Sequence, residues 1–255
     1  MDDIELADRC AAAGSEVVAL AGSGAPWRRT DVVRGVQVAV LGNFSDPWAA
    51  QGLLTAGWPG DDAVAEVMAW LRRHGPGPFM VTIRDEDSAD PRWEAVGLVP
   101  WSAEPVFADE STAAVTWPMH ALEPQVRVPR DAEEFIGAYN SWVEHEIAVR
   151  QLVVDDDLSD PSKRFLVIDV EGAAVGSAIV RYAGGTGYVS GIGVHPDYRR
   201  RGYGAALTLA AARLAARGTD VVWLHASEEG SQLYRRLGFR CVDTHIALIP
   251  AARRA

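Results

Sequence analysis

The stretch Ile192-Gly193-Val194-His195-Pro196-Asp197-Tyr198-Arg199-Arg200-Arg201-Gly202-Tyr203-Gly204-Ala205 decides how the rest of the chain is read. An apolar run of strand length comes first, and Pro196, which cannot donate to a strand ladder, stops it after Val194. Three arginines and two glycines follow as a tight turn. The alanine-rich stretch from Gly202 to Arg217, closed by Gly218, then has the composition of a helix with a glycine at its C-terminal end. Strand, basic glycine turn and helix in this order bring backbone N–H groups and a helix dipole to one point, where phosphate binds. Gly202 and Gly204 have no Cβ to block close approach, and Arg199, Arg200 and Arg201 add charge of the right sign. Without that strand and helix around it, the same pattern would equally fit a turn with a solvated basic face.

Short extended runs joined by glycine turns precede the stretch: Phe165 to Val170, Ala174 to Tyr182 and Tyr188 to Val194, an antiparallel meander. After the helix, Val221 to His225 reads as a strand, Glu228 to Arg236 as a short helix with acids at its N-terminus, and Arg240 to Ile249 as a final strand. Arg130 to Tyr139 and Ser141 to Val149 are helical by length and spacing, and Asp155-Asp156-Asp157 reads as an acidic loop. The order predicts an α+β fold, a mixed and mostly antiparallel sheet flanked by helices.

The first half repeats part of this order in eroded form, with helices over Ile4 to Leu20 and Asp61 to His74 and strands over Val36 to Leu41 and Phe79 to Ile83. A short helix in Trp93 to Pro100 and a last strand in Ala113 to Leu122 complete it. We expect two domains, residues 1–124 and 125–255, with Glu123-Pro124 as the linker. Seven of the nine tryptophans lie in the first half, where core or interdomain packing explains them better than ligand binding.

The net charge of -11 sits in that half, which holds 8 basic and 19 acidic residues up to Pro124, against 16 of each afterwards. Such a surface disfavours nucleic acid and anionic membrane. No segment is long and apolar enough for a membrane span, and the acidic start Met1-Asp2-Asp3-Ile4-Glu5 does not read as a secretory signal, so a cytoplasmic location is expected. Cys10 and Cys241 match no metal-ligand spacing and are expected to be idle thiols.

About thirty residues after the turn comes Leu233-Tyr234-Arg235-Arg236-Leu237-Gly238-Phe239. With Arg199-x-x-Gly202-x-Gly204 before it, the last 125 residues resemble the GCN5-related N-acetyltransferase (GNAT) superfamily, whose loop motif is Arg/Gln-x-x-Gly-x-Gly/Ala and whose later motif is Leu-Tyr-x-x-Leu-Gly-Phe. The resemblance implies acetyl-coenzyme A as cosubstrate, no metal, and an amine acceptor, either a small molecule or a peptide, attacking directly in a ternary complex. It also implies that Ile192, Gly193 and Val194 pair with the pantetheine arm, that Arg199 to Ala205 (Arg199, Arg200, Arg201, Gly202, Tyr203, Gly204, Ala205) cradle the pyrophosphate, and that the Val194 N–H meets the thioester carbonyl. Tyr234 matches the tyrosine that protonates the departing thiolate, where the plain alternative is a core aromatic.

Two departures stand out. Ser227 occupies the place of a common asparagine, so Ser227 or Ser231 is expected to take over that polar contact; relatives with glycine at the Gly230 place also occur. Tyr188 stands where some relatives hold a glutamate as the general base, which leaves Glu144, His145, Glu146 and His225 as candidate bases, each also explicable as an ordinary surface or strand-end residue. A water chain to a more distant carboxylate is a further alternative. The Asp155-Asp156-Asp157 run offers either attraction for a cationic amine or a solvated turn. In the first half, Gly57-Trp58-Pro59-Gly60-Asp61-Asp62 takes the place of the basic turn and is acidic, and Trp93-Glu94-Ala95-Val96-Gly97-Leu98 resembles a worn copy of the tyrosine motif. That half is expected to bind no coenzyme A, to brace the second half and to wall one side of the acceptor pocket. A non-catalytic acyl-coenzyme A-binding sensor or scaffold is the alternative function.

Overall fold

The computed structural model describes residues 1–43, 46–54, 57–114, 116–143 and 153–251. In chain order the elements are α1 (Asp3–Ala21), β1 (Arg29–Val33), β2 (Val36–Val40), β3 (Ala50–Leu53), α2 (Asp61–His74), β4 (Met80–Arg84), α3 (Arg92–Ala95) and β5 (Leu98–Glu110). There follow α4 (Ser111–Ala114), β6 (Val126–Arg127), α5 (Ala132–Asn140), α6 (Asp155–Ser159), β7 (Lys163–Val170), β8 (Ala173–Ala183) and β9 (Thr186–Val194). The last elements are α7 (Tyr203–Ala216), β10 (Val221–His225), α8 (Glu228–Leu237) and β11 (Arg240–Pro250). They gather into two compact units, one made of Met1–Cys10 with Phe107–Val242, the other of Ala11–Val106 with Asp243–Ala255.

In the first of these units β7, β8 and β9 form the expected antiparallel meander, and β10 joins β9 in parallel after the α7 crossover. Strand alternation sorts the side chains onto two faces. Leu166, Ile168, Ala178, Val180, Val189, Val222 and Leu224 pack with α7, whereas Phe165, Val167 and Ile179 pack with Phe135 and Ile136 of α5. The alanines of α7 let it lie close on the sheet: a Cβ on Gly187 would sit 2.5 Å from that of Ala215. The acidic run is neither a loop nor a solvated turn. It forms α6, where Asp155 accepts from the Ala132 N–H at 3.1 Å and Asp157, 2% exposed, holds the Lys163 ammonium at 2.6 Å. Lys163 is the chain's only lysine, and its charge is spent inside the fold.

The other unit repeats the plan: β1, β2 and β3 run antiparallel, α2 crosses over, and β4 lies parallel to β3. Its core joins Val64, Val67 and Leu71 of α2 to Val36, Val38, Val81 and Ile83 of the strands. Residues 243–250 of β11 supply the next strand, with Leu248 opposite Val81 and His245 opposite Arg84. The last strand of the first half is β5, not Ala113 to Leu122, whose described residues are the end of the short helix α4 and turns. Pro100 and Pro105 hid β5, because proline cannot donate to a strand ladder and so reads as a strand breaker. The tryptophans divide as well: Trp93 is buried, but Trp27 and Trp101 are 44% and 49% exposed and are not core.

His245 of β11 is 3% exposed, and burial lowers its imidazole pKa to about 4, against the opposing pull of Asp243. A base whose folded pKa is depressed is held neutral by the fold, while the unfolded chain takes up a proton near its ordinary pKa. Stability is therefore expected to be full above about pH 6.5 and to fall as pH drops towards 4, by at most about 3 kcal/mol from this group. In His245→Gln the fall in melting temperature between pH 7 and pH 4.5 should be smaller than in the parent chain; equal falls would assign the effect elsewhere.

Candidate active site

Pairing of β9 with β10 ends at Val189 opposite Leu224, while pairing with β8 continues to Val194 opposite Gly176. Residues 190–194 thus have one edge without a β10 partner in register. The β8–β9 register slips between Ser177 and Ile179, leaving an extra residue in β9, and Gly191 takes a φ of +59° there. Ser177, fully buried, donates from its hydroxyl to the Gly191 carbonyl at 3.0 Å and accepts from the Trp142 indole at 3.0 Å. The indole lies so close over Gly193 that a Cβ there would be 1.9 Å from it. The His195 N–H donates to Val175 O at 2.8 Å, so strand alternation turns the N–H groups of Val194 and Ile192 to the opposite, open edge. Arg199 Nε donates to Val194 O at 3.0 Å and ties the following loop to this edge.

The loop holds two left-handed residues, Arg200 at φ +62° and Gly202 at +89°. Gly202 caps α7 without a side-chain bond, so the first-turn N–H groups of Tyr203, Gly204 and Ala205 face outward unmet by any cap. Among the described helices of eight or more residues, α1, α2, α5 and α8 all carry acids in the first turn; α7 carries none. Its positive end is left for an external anion, beside the exposed Arg199, Arg200 and Arg201. A Cβ on Gly204 would meet only Leu233, at 3.7 Å, whereas one on Gly202 would press on the His120 ring at 2.9 Å. His120 lies in a segment read from sequence as strand, and nothing in the sequence marked it or Trp142 as neighbours of the site.

Helix α8 places Tyr234. Ser227 caps the helix by accepting from the Gly230 N–H at 3.1 Å, and the Ser231 hydroxyl donates to Ser227 O at 3.0 Å, so both hydroxyls have duties within the helix. Tyr234 is 7% exposed, against Phe107 and Phe239, with Gly230 leaving room for its ring. Burial pushes its phenol up to about pKa 12. It therefore keeps its proton throughout the neutral range.

Residues 161–241 match the model of the Acetyltransferase (GNAT) domain. An acetyltransferase of Yersinia enterocolitica is 33% identical over 98 residues, which cover 70% of its length and 37% of this chain. The chain belongs to the GNAT acetyltransferases. An acetyltransferase of Pectobacterium atrosepticum is 36% identical over 107 residues, 72% of its length and 40% of this chain. At the level of fold the likeness spans nearly everything. A GCN5-related N-acetyltransferase from Kribbella flavida superposes with a TM-score of 0.70 at 20% identity over 96% of this chain and 95% of its own. A tandem GNAT protein from the clavulanic acid biosynthesis pathway does so with 0.58 at 15% identity, over 96% and 94%.

Of the bases considered for this GNAT chain, Glu144, His145 and Glu146 lie outside the described residues, as does most of the helix expected over Ser141 to Val149. His225 is described. Its Nδ1 is 3.0 Å from the Tyr188 hydroxyl. Cys10 is buried and Cys241 exposed. No described helix is long and apolar enough to cross a membrane, and no three described His, Cys, Asp or Glu residues are grouped to hold a metal ion. In the first-half turn, the Gly57 N–H is taken by the Asp87 carboxylate at 3.2 Å, and Asp61 and Asp62 occupy the first turn of α2. A built-in anion stands where α7 leaves room for an external one.

Proposed function

We propose that this GNAT chain transfers the acetyl group of acetyl-coenzyme A to a primary amine by direct attack in a ternary complex. The observation that carries the reading is the acid-free, uncapped N-terminus of α7 directly after the open edge of β9. The pyrophosphate docks on Arg199 to Ala205, where first-turn N–H groups and three arginines meet its charge. The pantetheine arm lies along Ile192, Gly193 and Val194 as an added strand, and the Val194 N–H donates to the thioester carbonyl. Tyr234 supplies the O–H for the leaving sulfur. The Ser227 hydroxyl keeps its own proton for a polar contact to the cofactor. No cysteine nucleophile takes part. Residues 1–124 form the degenerate copy and hold no second cofactor site, because the carboxylates of Asp61, Asp62 and Asp87 repel phosphate.

Thiol release from acetyl-coenzyme A, followed over small amines, amino acids, aminoglycosides and peptide N-termini, tests the reading. At least one acceptor should raise the rate well above hydrolysis. Tight coenzyme A binding with no stimulation by any of them would leave a cofactor sensor or scaffold instead.

A further inference from the structure

The ring of His120 lies directly against the backbone of Gly202. A Cβ at Gly202 would be 2.9 Å from His120 Cε1 and 3.1 Å from Nε2, and the backbone there is left-handed at φ +89°. The edge of the ring that carries Nε2 is thus seated at the residue that caps α7, beside the first-turn N–H groups of Tyr203, Gly204 and Ala205. We infer that His120 Nε2–H is a further donor to the coenzyme A pyrophosphate, an inference that rests on the cofactor site proposed above.

Hydrogen bonding fixes both the ring and its proton. Nδ1 accepts from the Leu122 N–H at 3.2 Å, so the proton of the neutral imidazole sits on Nε2. The segment that carries the ring is fastened to α7 itself, because Arg213 donates to Pro118 O at 2.9 Å and to the Glu123 carboxylate at 3.0 Å. Glu123 in turn accepts from the His120 backbone N–H at 2.5 Å. Its carboxylate is 8% exposed and paired with Arg213, so its charge is met there instead of opposing the phosphates. On either side of His120, Trp117 packs edge-on against Phe239 at 4.6 Å and Leu122 packs on the core around α7. The loop's own arginines are differently placed. Arg199 Nε is given to Val194 O at 3.0 Å, and the Arg201 guanidinium lies 5.6 Å from the centre of the Tyr198 ring. Both are exposed side chains on long stems, and holding them on a phosphate costs rotamer freedom. The half-buried His120 ring is already ordered, so a charge-assisted bond from Nε2–H to a phosphate oxygen carries little of that cost.

The test is calorimetric titration of the full chain with coenzyme A and with dephospho-coenzyme A, which keeps the pyrophosphate and lacks the 3′-phosphate. His120→Asn retains an acceptor for the N–H two residues on, as asparagine does in turns, and loses the outer donor. Its affinity should fall roughly tenfold to a hundredfold for both ligands, with melting temperature nearly unchanged. His120→Gln puts an amide N–H where Nε2–H stood, gives up the Leu122 bond, and should bind both ligands nearly as well as the parent chain. A loss in His120→Gln as large as that in His120→Asn, or larger, makes the ring a brace for the turn and overturns the inference. A loss with coenzyme A that vanishes with dephospho-coenzyme A also overturns it, since the ring then serves the 3′-phosphate. Undiminished affinity in His120→Asn sinks the His120 assignment and leaves the loop site standing. A parent chain that binds no coenzyme A sinks both.

Discussion

Gly204→Leu should abolish measurable coenzyme A binding and leave the fold intact. The backbone at Gly204 is not left-handed, and an added Cβ meets only the end of the flexible Leu233 side chain at ordinary contact distance. Leucine is also a better helix former than glycine by roughly 0.8–1 kcal/mol, so melting temperature should hold or rise slightly. The cofactor suffers instead, because a leucine side chain over the first turn of α7 keeps the phosphates from the N–H groups. Losing two charge-assisted hydrogen bonds at about 1.5–3 kcal/mol each weakens binding by roughly a hundredfold to ten-thousandfold. Calorimetric titration with coenzyme A reads this directly, and unchanged affinity would move the pyrophosphate site elsewhere. Gly202 is a poorer choice for the experiment: its φ of +89° and the His120 ring against it make any substitution strain the fold as well.

Tyr234→Phe should lower kcat by roughly a hundred- to ten-thousandfold with coenzyme A affinity and stability nearly unchanged. Phenylalanine keeps the ring that packs on Phe107 and Phe239 and removes only the hydroxyl. A phenol near pKa 12 holds its proton more tightly than a thiol near 8.5, so under the proposed reaction it would serve the departing sulfur as a hydrogen-bond donor and a conduit rather than as a strong acid. The pH–rate profile of the parent enzyme should accordingly show no limb from Tyr234 below about pH 11. A variant with full kcat would make Tyr234 a core aromatic and nothing more.

Much of this was legible in the sequence wherever local chemistry and tertiary structure agree. Helix α2 and strand β10 fall where composition and capping place them, and α7 and α8 are displaced by no more than a residue at each end. The reading failed where a residue's role depends on what lies beside it. Strand β5 contains two prolines, and the polar, exposed β1 has no apolar alternation to betray it. The Asp155-Asp156-Asp157 run looked solvated because its partner Lys163 is reached only by folding. The site divides the same way. The loop from Arg199 to Gly204 is a local motif, but the meeting of Tyr188 with His225 depends on the register of two parallel strands separated by a whole helix, and Trp142 over Gly193 on the bulge in β9. No spacing rule along the chain encodes those contacts.

The loan of residues 243–250 to the unit that contains β4 sets a timetable. Val81 and Ile83 leave the ribosome long before their backbone partners, which are made about 160 residues later, an interval on the order of ten to thirty seconds at usual translation rates. For that time β4 is a growing chain's open flank, with two aliphatic side chains and a row of unmet amides. The arrangement that completes β4 in the finished protein thus leaves that flank open during synthesis to a passing strand or a chaperone.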